Sequence, residues 1–424
     1  MYDIFSLPDV KFPEGFIWGS STAGHQIEGD NIHSQWWANE QQAGRYESKS
    51  GKACNHYELY KEDIELLTQL GHKAYRMSIE WARIEPVQGQ FNAEAMEHYV
   101  DELRRLKEAD IKTYVTLHHF SHPQWFEENG QFSNLDNMQL WERYVNYAVP
   151  KISPFVDYWN VFNEFNLGAW PGRIEEKLNL IQYHARGYHL IKLYSKAPVS
   201  TAHAFVHYFP YRRHDDLDNL MTKYQDWRDN EFFFHAIRTG EIAFPLKDAK
   251  YVPEVKGTMD YWAVNSYTRH MMDGRKQLLE GKRFEHKQLK MIPKDFYLEE
   301  MFPEGLTANV ERLKDLPVHI TENGCSCDDD RFRIVYIALH LSALREAISR
   351  GVDVKSYMYW SLMDNYEWGS FVPRFGLVDV DFKTFKRTPK PSASFYKEVI
   401  ANNGVTQKMI RKYLKEMPSL SLPQ

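Results

Sequence analysis

Tyr158-Trp-Asn-Val-Phe-Asn-Glu-Phe165 and Val318-His-Ile-Thr-Glu-Asn-Gly324 share one pattern. In each, a short apolar run ends in polar residues that include a glutamate, and helix-promoting sequence follows. Such a run reads as a strand buried on both faces, the kind found in parallel sheets. Working outward, the same unit recurs. Strands are expected at Phe16–Ser20, Ala74–Ser78, Thr113–Leu117, Tyr158–Phe162, Val199–Ala202, Tyr261–Asn265, Val318–Thr321 and Lys355–Trp360. Helical patterns lie between most of them, at His56–Leu70, Ala93–Ala109, Asn137–Lys151, Leu178–Ser195, Asn230–Thr239 and Arg331–Ser349. Gly71 and Gly351 stop the first and last of these helices as C′ residues. Strands alternating with helices predict a parallel sheet covered by helices. Eight units with no linker or low-complexity break predict one (β/α)8 barrel domain over residues 1–424, with long βα loops at the active face. An open doubly wound sheet is the alternative. It wants a glycine-rich phosphate loop after the first strand, and Gly19-Ser-Ser-Thr-Ala-Gly24 has the wrong spacing.

Composition narrows the function. Apolar residues make up 43% and charged residues 26%, the balance of a soluble globular protein. A net charge of −6 gives no footing for nucleic acid or an anionic membrane. No apolar run reaches the length of a membrane span, and the first residues lack the basic and apolar regions of a signal peptide. The three cysteines, Cys54, Cys325 and Cys327, do not suggest a disulfide framework. Cys325-Ser-Cys327 is a weak redox or metal fragment beside the simpler reading of thiols in a reducing compartment, so a cytoplasmic location is expected.

Polar residues at strand C-termini face the substrate in such a barrel. Those ends carry Gln26 and Glu28, Arg76, His118 and His119, Asn163 and Glu164, Asn265 and Tyr267, Glu322 and Asn323, and Trp360. Two carboxyls facing each other across a cleft are the equipment for breaking a glycosidic bond. In the retaining version one is protonated and the other ionised, about 5–5.5 Å apart. Arg76 and Tyr267 are candidate partners for Glu322, favouring its charged form. Glu164 lies among aromatic residues, where desolvation and the charge of Glu322 would raise its pKa and suit it to acid–base work. A surface carboxylate or an ion-pair partner is the ordinary reading of either glutamate alone.

The sequence resembles glycoside hydrolase family 1, the retaining β-glycosidases. The resemblance rests on Phe16-Ile-Trp-Gly-Ser-Ser-Thr-Ala-Gly-His-Gln-Ile-Glu-Gly29, Tyr75-Arg-Met-Ser-Ile79, Thr116-Leu-His-His119, Asn163-Glu164, Asn265-Ser-Tyr267, Thr321-Glu-Asn-Gly324, Tyr359-Trp-Ser-Leu-Met-Asp-Asn-Tyr-Glu-Trp368 and Pro391-Ser-Ala393, in order along the chain. It implies Glu164 as acid/base, Glu322 as nucleophile, and Arg76 and Tyr267 as the residues that hold the nucleophile. Asn163 would bind the sugar 2-hydroxyl. Gln26, His119, Asn265, Glu367 and Trp368 would line the sugar site, with Trp360 as a floor under the ring. A sugar offers apolar faces and a hydroxyl rim, so an aromatic surface ringed by polar groups suits it.

Some positions depart from the family pattern. Phe165 stands where proline is usual, which points to a less rigid turn after Glu164. Ser266 replaces a frequent tyrosine, and Gly369–Gly376 looks short. Glu367 and Trp368 stand where the phospho-glycoside branch would carry serine and lysine nearby, and a carboxylate there would repel a 6-phosphate. Trp36, Trp37, Trp125 and Trp170 could line the aglycone side or simply pack the loops. His118, His119 and His122 could suggest a metal, but a barrel metallohydrolase would also want a His-x-His pair at strand 1. Asp328-Asp-Asp330 reads as a helix cap rather than a calcium loop. The expectation is therefore an exo-acting retaining β-glycosidase for a non-phosphorylated gluco-, galacto- or fuco-configured sugar. It would act on a small β-glycoside or oligosaccharide without cofactor or metal, and the oligomeric state stays open. Transglycosylation is a lesser variant, and a barrel that binds sugar without turning it over is the alternative of a different class.

Overall fold

The computed structural model describes residues 3–167, 174–245, 247–276 and 300–418; Trp170 lies outside them. Eight strands, β1 (Ile17–Ser21), β2 (Ala74–Ser78), β3 (Lys112–His118), β4 (Tyr158–Asn163), β5 (Val199–Ala204), β6 (Trp262–Asn265), β7 (Val318–Asn323) and β8 (Val354–Trp360), form a closed barrel. Every pairing in it is parallel, and each strand neighbours the next in sequence. The ring closes where Ser356–Trp360 of β8 lies beside Ile17–Ser21 of β1. The (β/α)8 expectation holds, and all eight strands stand where the apolar runs put them.

The helices around the barrel include α1 (His56–Gln69), α2 (Ala93–Glu108), α3 (Met138–Ile152), α4 (Ile174–Tyr194), α5 (Phe232–Thr239), α6 (Pro303–Val310), α7 (Asp330–Ser349) and α8 (Pro391–Asn402). Gly71 and Gly351 take φ of 75° and 90° after α1 and α7, the left-handed conformation that favours glycine at a helix end. Asp329 caps α7 by accepting from the Arg331 amide, the capping role read from the aspartate run. α4 starts at Ile174 rather than Leu178, because Glu175 and Glu176 occupy a first turn that favours acidic side chains. The sequence raised no expectation of α6 or α8. α6 is a single short stretch holding Gly305 and Thr307, too brief to display a period.

Beneath the active face the barrel is plugged by an aromatic layer from β3, β4, β6 and β7. Tyr114 stacks on Tyr158 with centroids 4.3 Å apart, and the ring of His319 packs edge-on to Tyr261, just before β6, with centroids 4.6 Å apart. His319 Nδ1 lies 2.9 Å from Tyr114 Oη and 3.0 Å from Ser356 Oγ. Burial holds its pKa down at about 3, so the ring is neutral.

The first turn of α1 contains a buried charge cluster. His56 Nδ1 is 2.8 Å from Asp63 Oδ2, and Nε2 is 2.9 Å from Glu102 Oε1 on α2. With a carboxylate at each nitrogen, both nitrogens must carry protons. Arg387 adds two 2.8 Å bonds to Asp63, tying in the hairpin after β8. Burial alone would lower the pKa of His56, but Glu102 and Asp63 outweigh it and hold it at about 10. This is a pKa raised above the unfolded value, so its contribution to stability is full below about pH 6.5 and is lost as pH rises through about 10. His56→Ala leaves two buried carboxylates without their cation and is expected to cost about 3–5 kcal/mol. Urea unfolding at pH 6 and pH 10 checks this: the gap from the parent should be large at pH 6 and smaller at pH 10.

Candidate active site

β2, β4, β6 and β7, with the residues just beyond them, deliver polar side chains to one cluster. Arg76, fully buried in β2, donates from Nη1 to Glu322 Oε1 of β7 and from Nη2 to Asn163 Oδ1 at the end of β4 (2.5 Å). Tyr267 Oη donates to the other Glu322 oxygen, Oε2, at 2.6 Å. Glu322 therefore has a donor on each oxygen. Glu164 follows β4 directly. Its Oε1 accepts from Asn265 Nδ2 at 2.9 Å, and the same amide reaches Asn163 Oδ1 at 3.0 Å. Thr321 Oγ1 donates to Asn265 Oδ1 at 2.6 Å, which fixes the amide's orientation and aims its NH2 at Glu164.

The two carboxyls thus have different surroundings. Burial raises Glu164, the negative charge of Glu322 raises it further, and Asn265 pulls back only in part, leaving it at about 8. Burial also raises Glu322, but there Arg76 and then Tyr267 oppose it directly. When one proton is shared by such a pair, these partners leave it on Glu164. Tyr267 is pushed well above 10 by burial and by the charge of Glu322, so it remains a donor.

Beside the carboxyls lies a second group of polar side chains. Gln26, in the short helix after β1, donates from Nε2 to Asn365 Oδ1 (3.0 Å) and Glu367 Oε2 (3.1 Å). Its Oε1 is buried with no protein partner. Asn163 Nδ2 lies 3.0 Å from His119 Nε2. Because the amide donates, the neutral His119 carries its proton on Nδ1, which is also buried without a protein partner. Burial, and then the charge of Arg76, hold His119 neutral. A buried acceptor and a buried donor of this kind are each suited to a hydroxyl. Trp360 is buried with Ala23 and Phe375, against Tyr267, and its ring runs nearly parallel to that of His119 with centroids 6.0 Å apart. Half-buried Trp368 packs 4.8 Å from Trp36 and stacks at 6.0 Å on His25. The loop Gln41–Ala53 backs this wall. Ser48 N donates to Gly369 O at 2.8 Å, and Ser370 Oγ to Glu47 Oε2 at 2.6 Å. Gly369 has a φ of 120°, and a Cβ there would meet the Tyr46 ring at 2.7 Å, so only glycine fits.

All eleven residues singled out in the sequence lie in or around this cluster. Other strand-end residues do not join it. Glu28 turns to Arg83 Nε (2.6 Å) and Tyr99 Oη (2.9 Å). His118 pairs with His122 at 3.1 Å, and His122 with Glu127 at 2.9 Å. Trp125 packs on Trp81 and donates to Glu85 O. Among the described residues, no three His, Cys, Asp or Glu side chains are grouped to hold a metal, and no helix is long and apolar enough to cross a membrane. Phe165, which stands where proline is usual, has its ring buried against Phe233, with centroids 5.0 Å apart. Thr321, Asn365 and Asn166 were missed. The first two lie inside the quoted motifs, but nothing in their type marks them as orienting groups.

The family model for glycosyl hydrolase family 1 matches residues 9–405, nearly the whole chain. The chain belongs to this family. Relatives and solved structures agree with the family and the barrel. A 1,4-beta-D-glucan glucohydrolase of Thermotoga neapolitana is 30% identical, over 93% of this chain and 99% of its own length. A 6-phospho-beta-galactosidase of Staphylococcus epidermidis is 28% identical, with the same two coverages of 93% and 99%. Among solved structures, a beta-glycosidase from Pyrococcus horikoshii superposes with a TM-score of 0.86 at 34% identity, covering 96% of this chain and 98% of that one. A Thermotoga maritima family 1 glycoside hydrolase, complexed with a cyclophellitol analogue transition state mimic, has a TM-score of 0.86 at 29% identity, covering 93% and 99%. The chain is a glycoside hydrolase of β-glucosidase type.

Proposed function

We propose that this family 1 enzyme is a retaining exo-β-glycosidase. It removes a terminal, non-phosphorylated β-glucosyl, galactosyl or fucosyl residue from a small glycoside or oligosaccharide, with the whole chain acting as one domain. The observation that carries this reading is the unequal treatment of the two carboxyls, with Glu322 gripped by Arg76 and Tyr267 and Glu164 lifted to about 8. Glu164 donates its proton to the glycosidic oxygen while Glu322 attacks the anomeric carbon, giving a covalent glycosyl-enzyme. Water then attacks that carbon, Glu164 takes its proton, and the sugar leaves with its configuration retained. Asn163, held by Arg76 and His119, reaches the 2-hydroxyl. The open atoms of Gln26 and His119 take a hydroxyl further round the ring, Trp360 carries its apolar face, and Asn265, Glu367 and Trp368 complete the sugar's surround. Two carboxyls and water suffice for the chemistry, so no cofactor or metal is invoked. An alcohol in place of water gives transglycosylation. Cys54, Cys325 and Cys327 are buried thiols, in keeping with a cytoplasmic enzyme.

The relationship to a 6-phospho-beta-galactosidase supplies the competing substrate. Glu367, 3.1 Å from Gln26, puts a carboxyl on the sugar's hydroxyl rim, and a second anion there would be repelled. A panel of nitrophenyl β-glucoside, galactoside, fucoside, xyloside and 6-phosphogalactoside tests the reading. Turnover of one or more neutral glycosides is expected; preference for the phosphorylated one would overturn it, and binding without turnover would favour a sugar-binding protein.

The pH profile of kcat/KM should be bell-shaped. Activity requires Glu164 protonated, so it is expected to fall as pH rises through about 8. It requires Glu322 ionised, so the acidic limb belongs to that group. A profile that stays flat from pH 6 to 10 would count against the acid assignment.

A further inference from the structure

We propose that Asn166 is a positioning residue that fixes the acid/base carboxyl of Glu164 by clamping the turn beyond it. This rests on the reading of Glu164 as acid/base.

Glu164 has a φ of 47°, a left-handed conformation that is unfavourable for a residue with a Cβ and persists only where the surroundings enforce it. Two backbone bonds define its turn: Glu164 N donates to Ala202 O at 2.8 Å, and Leu167 N to Glu164 O at 2.9 Å. Between them stands Asn166, 1% exposed, with its amide fully used. Oδ1 accepts from Ala204 N at 3.1 Å, and Nδ2 donates to Ala204 O and to Asp229 O, each at 2.9 Å. The side chain therefore acts as a short strand, matching both backbone groups of the last residue of β5. Its second proton reaches across to another element.

That element is the π-helical turn Trp227–Glu231, which leads into α5. π turns of this kind recur at functional sites. This one is held firmly. Asp229 accepts from buried Lys177 of α4 at 2.9 Å and from Tyr208 Oη at 2.6 Å. Asn230 donates to Val206 O at 2.9 Å, while its Oδ1 lies 3.2 Å from His203 Nε2 on β5. Asn166 thus joins the Glu164 turn to two anchored pieces of backbone, β5 and the π turn, and Phe165 packs its ring on Phe233 just beyond. Remove the amide and the turn keeps its hydrophobic contact and its two backbone bonds but loses the side-chain bonds that tie it to β5 and the π turn. The carboxyl would then stay near the site and miss the leaving oxygen.

A misplaced acid has a specific signature: the first step suffers only where the leaving group needs a proton. Asn166→Ala is expected to lower single-turnover glycosylation by roughly 10²-fold on an alkyl β-glycoside. On the matching 2,4-dinitrophenyl glycoside, whose leaving group departs unaided, the fall should stay within about threefold. Asn166→Ser, which keeps one donor, should lie between the parent and Asn166→Ala, and serves if the alanine variant does not fold. A merely structural role would lower both substrates alike along with the Tm, and that result overturns the proposal. Glu164→Gln run beside it separates the two readings. A leaving-group split in Glu164→Gln with none in the Asn166 variants defeats positioning alone. No split in Glu164→Gln defeats the acid assignment, and positioning with it.

Discussion

Glu322→Gln is expected to abolish turnover on every β-glycoside, lowering kcat by roughly 10⁶-fold, the scale on which removing a covalent nucleophile is felt. The amide cannot form the glycosyl ester, and the neighbours arranged for a carboxylate become mismatched. Arg76 Nη1 and Tyr267 Oη each donate to one Glu322 oxygen, and an amide offers only one acceptor and an NH2 that faces a donor. Binding should survive better than catalysis, because the groups that would hold the sugar, Gln26, His119 and Trp360, are untouched. Intact-mass measurement after exposure to an activated 2-deoxy-2-fluoro-β-glycoside checks the assignment directly. The parent should gain one glycosyl mass, mapped to Glu322, and the variant none. A label on Glu164, or a variant within tenfold of the parent, would remove Glu322 from the nucleophile's role.

Glu164→Gln comes next in size, and its effect depends on what is being cleaved. General acid–base catalysis contributes about 10²–10⁴-fold. A loss of that order is expected for alkyl glycosides, and little loss of the glycosylation step for dinitrophenyl ones. On the latter, the glycosyl-enzyme accumulates, because no base activates the water that should release it. Azide needs no base, so it should restore steady-state turnover and yield a β-glycosyl azide with retained configuration. The fall of activity near pH 8 should also vanish from the first step, since the group that titrates there is gone. A product of inverted configuration would mean a single displacement by azide with no glycosyl–Glu322 intermediate, and would undo the double displacement.

The legibility of this protein in its sequence follows from how barrels are built. Strands buried on both faces leave largely apolar runs, so β4 and β6 stand out without any periodicity analysis. Site residues at strand ends are likewise exposed to reading, because a polar residue at the close of an apolar run has no packing reason to be there. α6 was not legible: eight residues with a glycine inside supply too few turns to set a face. The partners of the site residues were the other blind spot. Thr321 orients Asn265 through a contact between adjacent strands, and Asn166 reaches Asp229 O, a partner 63 residues away in sequence. Glu28 shows the reverse error. It is polar and near a strand end, yet Arg83 and Tyr99 claim it, as only the packed loops reveal.

The seam between β8 and β1 gives the pocket an unusual dependence. Gln26 comes from just after the first stave and Glu367 from just after the last, and a 3.1 Å bond joins them across the closure. A glycone gripped by both therefore spans nearly the full length of the polypeptide. If the sugar is held there as proposed, occupancy and closure of the fold would be linked by mass action: a bound sugar would draw the two ends of the barrel together, and loosening either end would weaken its hold.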